Sequence, residues 1–501
     1  MNQTLKVRSK FLFLLLFNLY FSAIISSQSK SPKYEMRGVW VATVANIDWP
    51  SKPGLKVKEQ KKEALEIIQH CKDLGLNTIF LQVRPASDVL YQSSLEPWSK
   101  VLTGVAGKNP RYDPLDFWIE LAHSNGLELH AWINPYRASM SLDEELPEMH
   151  PIHIEPDMFV EYGNKVYYNP GNPKSNIHIN KVVKELVQNY AIDGIHMDDY
   201  FYPYPIHGQA FPDSLYYHQY GKDKFANLAD WRRNNVNETI ETLRATIKNS
   251  KPWVQFGISP FGVWRNSSDD SRGSETKAGT TNYDGLYADV LLWMKNSWID
   301  YVVPQLYWGT SHPVANYTVL CNWWNQNHYD IPVYIGHGIY KIGSDKPDWQ
   351  DEKQLPNQIK SVRSSSNLSG SVYFSYKHFK RDLLGFNDEL AKTFYSQKAI
   401  VPHIGRMKYT NSSEMPMKVK ARAKSIRWKG ESSSKYIVYL YDVSEAFNPE
   451  DPKFIFDLCY STKYRMPKKK SKLKKEYLVR IAAINAFGSE GVISEPVLIK
   501  Y

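Results

Sequence analysis

The chain has 501 residues, 42% of them hydrophobic and 14% aromatic, with three cysteines and a formal charge of +10. That length exceeds what one hydrophobic core supports, so at least two domains are expected. Cys71, Cys321 and Cys459 are too few, too scattered and odd in number to form a disulfide framework, so a large core must hold the fold.

Residues Met1 to Ser27 place Lys6, Arg8 and Lys10 before the apolar run FLFLLLFNLYFSAII and a small polar stretch. This is the three-part layout of a secretory signal. The run is shorter than the roughly 20 residues that span a bilayer, and no cysteine follows it. A cleaved signal is therefore expected rather than a membrane or lipoprotein anchor, with the mature chain periplasmic or extracellular. Export removes nucleic acid as a partner. Part of the positive charge falls in Lys463 to Lys475, which reads either as a solvated hairpin loop or as a patch attracted to an anionic polymer or the cell envelope.

From Met36 to Phe379 short β-branched or aromatic runs alternate with amphipathic stretches, the pattern of a parallel sheet with crossover helices. The strands are RGVWVATV from Arg37, NTIFLQV from Asn77, LELHAWI from Leu127, DGIHMD from Asp193, WVQFGIS from Trp253, DYVVPQLY from Asp300, PVYIGH from Pro332 and GSVYFSY from Gly370. Among the helices, KEQKKEALEIIQHCKDLG should turn Leu65, Ile68 and Leu74 to one face and stop at Gly75; DPLDFWIELAHSNG and NIHINKVVKELVQNY follow. Eight alternating units predict an α/β fold, a closed (β/α)8 TIM barrel over residues 34–398. Beyond Val401 the helical period gives way to short alternating strands, predicting a small all-β sandwich over residues 405–501. The barrel's eight units are complete before that segment, so the second domain is expected to be separable from catalysis.

Helix-to-strand connections are terse, as from Leu74 to Asn77, whereas strand-to-helix connections are long, as from Arg84 to Tyr112, from Asn134 to Ser175 and from Ser259 to Asn282. Elaboration thus gathers at the C-terminal ends of the strands, where barrel enzymes keep their sites. The polar and aromatic residues there suit a sugar, because aromatic faces stack on pyranose rings while amides and guanidinium groups bind hydroxyls and carboxylates. Candidate substrate-binding residues are Arg84, Asp88, Asn134, Tyr136, Arg137, Tyr200, Trp264, Gln305, Trp308 and His337. In GIHMDDY, alternation turns Asp198 inward above His196, and Asp199 falls where strand becomes loop. Two adjacent carboxyls in a partly dry site cannot both ionise cheaply, so one pKa should rise and provide a general acid. Asp198 and Asp199, with Tyr307, are the candidate catalytic residues. No HxH or HExxH spacing and no glycine-rich phosphate loop occurs, so neither a metal nor a cofactor is expected.

The motifs RGVWVATV, FLQVRPASDVLY, HAWINPYR, GIHMDDYFYP, ISPFGVWRN and PQLYW resemble, in order and over roughly Tyr34 to Tyr395, the glycosyl hydrolase-like family 10 of exported bacterial barrel proteins. The resemblance implies hydrolysis of glycosidic bonds, with peptide-stripped peptidoglycan as a substrate. The paired aspartates are also similar to those of glycoside hydrolase family 84, which implies that Asp198 orients a 2-acetamido group and Asp199 is the acid/base. An amylase-like scheme needs a glutamate at the fifth strand, where WVQFGISP offers Gln255 and Ser259 instead. Stripped peptidoglycan exposes a lactyl carboxylate that Arg84 or Arg137 could clamp. The Trp428 strand, the Tyr477 strand and the turn from Ala483 to Gly488 resemble a fibronectin III domain. The leading expectation is a hydrolase of an N-acetylhexosamine-containing polysaccharide; the alternatives are a polysaccharide-binding protein on a degenerate barrel and a hydrolase of a neutral plant or host glycan.

Overall fold

The computed structural model describes residues 31–403, 415–422, 425–430, 435–468 and 475–501; the expected signal and part of the Lys463–Lys475 segment lie outside the described residues. Eight parallel strands, β1 (Met36–Val41), β2 (Thr78–Arg84), β3 (Glu128–Ile133), β4 (Gly194–Met197), β5 (Gln255–Ile258), β6 (Tyr301–Val302), β7 (Val333–His337) and β8 (Leu368–Tyr373), neighbour one another in chain order. Strand β1 pairs with both β2, through Gly38 and Thr78, and β8, through Met36 and Gly370, which closes the barrel. All eight strands read from the sequence are present.

The interior is filled by rings set over glycines. A Cβ on Gly38 would lie 2.6 Å from the Phe80 ring, and one on Gly257 only 2.0 Å from that of Tyr301. Trp40, Phe80, Trp132, Tyr301 and Tyr334 form this inner cluster. A larger core between barrel and helices buries the apolar faces of α1 (Val57–Asp73), α2 (Pro114–Ser124), α3 (Pro173–Asn189) and α4 (Leu228–Ser250). The buried face of α1 is Gln60, Ala64, Ile67, Ile68 and Cys71, whereas Leu65 is 51% exposed. The expected Leu65 face is thus off by about one position, because the 3.6-residue period places Ala64, Ile67, Ile68 and Cys71 on one stripe. Helix α2 starts where Asp113 accepts the Asp116 backbone N–H at 3.0 Å. All three cysteines are buried free thiols.

After the barrel come β9 (Met417–Arg422), β10 (Ser425–Lys429), β11 (Lys435–Asp442), β12 (Ile455–Cys459), β13 (Lys463–Arg465), β14 (Glu476–Ile484) and β15 (Val497–Lys500). They form a three-stranded sheet, β9-β10-β13, and a four-stranded sheet, β12-β11-β14-β15. Ile426 and Trp428 of the first pack against Val438, Val479 and Ile481 of the second, the expected all-β sandwich. The sandwich docks under the barrel, at the end opposite the long loops: Lys435 reaches Glu128 at 3.1 Å, Lys72 reaches Asp457 at 3.1 Å, and Tyr460 stacks on His123 at 4.1 Å. Glu35 also donates its N–H to Ile400 O at 2.9 Å, tying the start of the barrel to the junction.

Candidate active site

Strand β4 is buried along its whole length and delivers two carboxyls to the barrel mouth. Asp198 points inward: its Oδ2 accepts from Trp132 Nε1 at 3.1 Å and from the Asn134 amide, and its Oδ1 accepts the Tyr200 N–H at 3.3 Å. Asp199 accepts from the Tyr204 hydroxyl. The Asp198 carboxyl is pushed up to about 7, first by burial and then by the charge of Asp199. Burial also raises Asp199, although the Tyr204 and Gln305 side chains bond to its carboxylate and work against the rise. The pair therefore holds a proton near neutrality, with the two titrations belonging to the pair.

Beneath the pair lies His196. Its Nε2 faces Trp40 Nε1 at 3.2 Å and Ser259 Oγ at 3.0 Å, and its Nδ1 faces the Tyr301 hydroxyl at 3.1 Å. Burial and the neighbouring His130 hold its pKa well below the ordinary range. A neutral imidazole accepting from Trp40 carries its proton on Nδ1, so His196 is a bonded core residue that fixes the floor of the site. Among the described residues no group of three or more His, Cys, Asp or Glu side chains is gathered as a metal centre requires.

The carboxyls open into a cavity of about 590 Å³, walled by Trp40, Trp132, Tyr200, Tyr204, Tyr307, Tyr340 and Phe374 and by the polar Gln82, Arg137, Ser259, Gln305, Ser375, Lys377 and His378. Such a mixture of aromatic walls and a few convergent polar groups is the usual make-up of a small-molecule or sugar site. Tyr307 is kept protonated by burial. Arg137 donates from Nε to Pro85 O at 2.8 Å, and its guanidinium lies 5.2 Å over the Tyr200 ring. It has no carboxylate within ion-pair distance among the described residues.

Of the residues expected from the sequence, Asp198, Asp199, Tyr307, Arg137, Tyr200 and Gln305 converge on this cavity. Asn134 stands behind it as the donor that orients Asp198. The others do not reach it. Arg84 is fully buried in a two-bond pair with Glu96, at 2.6 Å for each bond, and braces Pro135 O at 3.1 Å; its fork is already occupied. Asp88 bonds the Ala86 N–H at 3.3 Å and the Ser99 side chain, a loop-internal role. The Tyr136 hydroxyl meets Thr239 at 2.9 Å on α4. Trp264 is buried against Trp323, and Trp308 packs on Phe261. His337 is held between Gln358 and Ser371, each at 3.0 Å, with burial lowering it to about 4. Conversely, Trp40, Trp132, Tyr204, Tyr340 and Phe374 line the cavity without having been singled out. Trp132 lies two residues before Asn134, so strand alternation was the available signal for it; Tyr204 and Tyr340 come from loops and gave none.

A closed eight-stranded parallel barrel with a buried carboxyl pair and an aromatic cavity at its C-terminal end is an arrangement suited to glycoside hydrolysis, and the relatives of this chain are glycosyl hydrolases. The chain belongs to the Glycosyl hydrolase-like 10 family, whose model matches residues 35–353. It is 48% identical over 375 residues to Glycosyl hydrolase YngK of Bacillus subtilis (strain 168), covering 74% of each chain. To Glycosyl hydrolase DigH of Escherichia coli (strain K12) it is 37% identical over 376 residues, which is 70% of this chain and 84% of that one. Among solved structures, the PgaB (BpsB) glycoside hydrolase domain from Bordetella bronchiseptica aligns with 72% of this chain and 99% of its own, at 14% identity and a TM-score of 0.47.

Proposed function

We propose that this protein is an exported glycosidase that cleaves an N-acetylhexosamine-containing polysaccharide, peptide-stripped peptidoglycan being the preferred class, by substrate-assisted acid/base catalysis. The observation that carries this reading is the Asp198–Asp199 pair, two adjacent carboxyls buried under aromatic walls and raised toward neutrality. Three donors hold Asp198 as an oriented acceptor, which suits a group that receives the acetamido N–H and stabilises positive charge as the acetamido oxygen bonds to the anomeric carbon. The proton that the pair shares passes to Asp199 as the acetamido N–H bonds to Asp198, which becomes the carboxylate, and Asp199 delivers it to the leaving glycosidic oxygen. As the carboxylate, it then takes a proton from the water that opens the cyclic intermediate. Tyr307 donates a hydrogen bond to the reacting sugar, and Tyr200, Gln305 and the aromatic walls hold the ring. The lactyl clamp falls to Arg137, because Arg84 is committed to Glu96. The sandwich is assigned to the fibronectin III type and serves as a base for the barrel.

The test is digestion of stripped peptidoglycan strands, chitin oligomers and neutral glucans side by side, with products read by mass. Cleavage of the first is expected and of the glucans is not; release from glucans alone would reject the acetamido requirement. Asp199→Asn should be hurt least on substrates with good leaving groups, whereas Asp198→Asn should be hurt on all. A 2-fluoro sugar trapped covalently on Asp198 would make that residue a direct nucleophile and overturn the scheme.

A further inference from the structure

Helices α3 and α4 are neighbours on the outside of the barrel; their apolar faces are buried in the core, and their outer, polar faces flank a groove. From α3 come Asn176, Ile177, Asn180, Lys181 and Lys184, and from α4 come Trp231, Asn234, Asn235, Glu238 and Thr242, each set at helical spacings of three and four. The segment before α4 adds Tyr220, Lys224 and Phe225, enclosing about 590 Å³, the same volume as the catalytic cavity.

The floor is Trp231, 2% exposed, over which the chain passes at Gly171 and Gly221; a Cβ on these would lie 2.3 and 2.5 Å from the indole. These backbones pack directly on the indole, so the floor is closed. Ile177 at 55% and Tyr220 at 40% exposure leave apolar surface uncovered on its walls. Asn180 accepts from Thr246 at 2.9 Å, and Asn176 stands beside it on the same wall. Lys181, Lys184 and Lys224 have no ion pair among the described residues, and the lining holds one carboxylate, Glu238, which bonds Asn234 at 2.8 Å.

We propose that this groove is a second, non-catalytic binding site for an acidic oligosaccharide: rings on the Tyr220 and Ile177 walls, amides to hydroxyl or acetamido groups, and the three lysines to carboxylates. This rests on the glycosidase reading. The first turns of α3 and α4 rise from the strand C-terminal ends, so the groove opens on the same end of the barrel as the catalytic cavity. Engagement there tethers a polymer while the cavity works on one stretch of it, a gain in effective concentration.

The experiment measures binding of a peptide-free (N-acetylglucosamine–N-acetylmuramic acid)3 hexasaccharide, and of the neutral chitin hexasaccharide, to Asp199→Asn protein by calorimetry. Two sites are expected for the acidic hexasaccharide. A Lys181→Ala/Lys184→Ala/Lys224→Ala variant, altered only at exposed side chains, should lose one of them. In the otherwise wild-type enzyme the same triple change should raise KM on polymer about tenfold while leaving turnover of a short soluble substrate unchanged. A single site in the Asp199→Asn protein, or two sites of unchanged affinity in the triple variant, would overturn the proposal. So would an equal loss of the neutral hexasaccharide. Because stoichiometry is read without turnover, failure of the catalytic scheme would leave this result interpretable by itself.

Discussion

Replacing Asp198 with asparagine should cost activity and gain stability, with a dependence on pH that identifies the cause. The side chain is 5% exposed, and burial, then the Asp199 charge, pushes its carboxyl from 3.8 up to about 7. Between those values the folded state binds a proton that the unfolded chain has released. Stability is therefore fully present below about pH 4, falls as pH rises, and levels off above about 7. Three pH units at about 1.4 kcal/mol each give a loss of about 4 kcal/mol. Asparagine does not titrate and avoids this loss. Its single oxygen can still accept from Trp132 and Asn134, while the Tyr200 N–H bond at 3.3 Å is forfeited at about 1 kcal/mol. The variant should thus be about 3 kcal/mol more stable than wild type at pH 8 and about 1 kcal/mol less stable at pH 4. Urea unfolding at several pH values measures the difference, and kcat/KM of the wild type should decline above about pH 7 as the shared proton leaves. A stability difference that stays constant across this range would refute the buried-proton reasoning.

Glu96→Gln should lower stability by about 3–5 kcal/mol, because it leaves the buried Arg84 guanidinium uncompensated. Burial alone would raise the Glu96 carboxyl, but Arg84 and His178 outweigh it and hold it well below the usual range. The contribution of the pair is present above about pH 4.3 and lost as pH falls through the folded value. Melting curves at pH 7 and 3 read this, and an Arg84→Lys protein that melts normally yet loses oligosaccharide affinity would restore Arg84 to the site. Gly126→Ala tests the docking of the sandwich: Gly126 has φ +79°, and a Cβ there would lie 2.3 Å from Leu458 O. The backbone strain is about 1 kcal/mol, and the clash must displace the sandwich, which faster proteolytic release of the sandwich and a lower Tm would reveal. Unchanged proteolysis would show that the two units are not locked together there.

Much of the architecture was legible in the residues. Strand runs separated by amphipathic stretches leave few arrangements other than a parallel barrel, and the asymmetry of loop lengths marks the functional end. The GIHMDDY segment carries its own geometry, since alternation fixes Asp198 inward whatever surrounds it. What the sequence could not show is which strand-end side chains meet. Arg84 looks like a ligand for substrate until Glu96, from the loop beyond, takes its fork, and His337 looks available until Gln358 and Ser371 close on it. Trp40 and Tyr204 acquire roles only because barrel closure brings strand one and the loop after strand four to the same cavity. The cause is physical: hydrophobic period and chain connectivity are local and act along a segment, whereas a buried polar group is satisfied by whichever partner the closed barrel places within hydrogen-bond distance. That choice exists only once the eight strands have met.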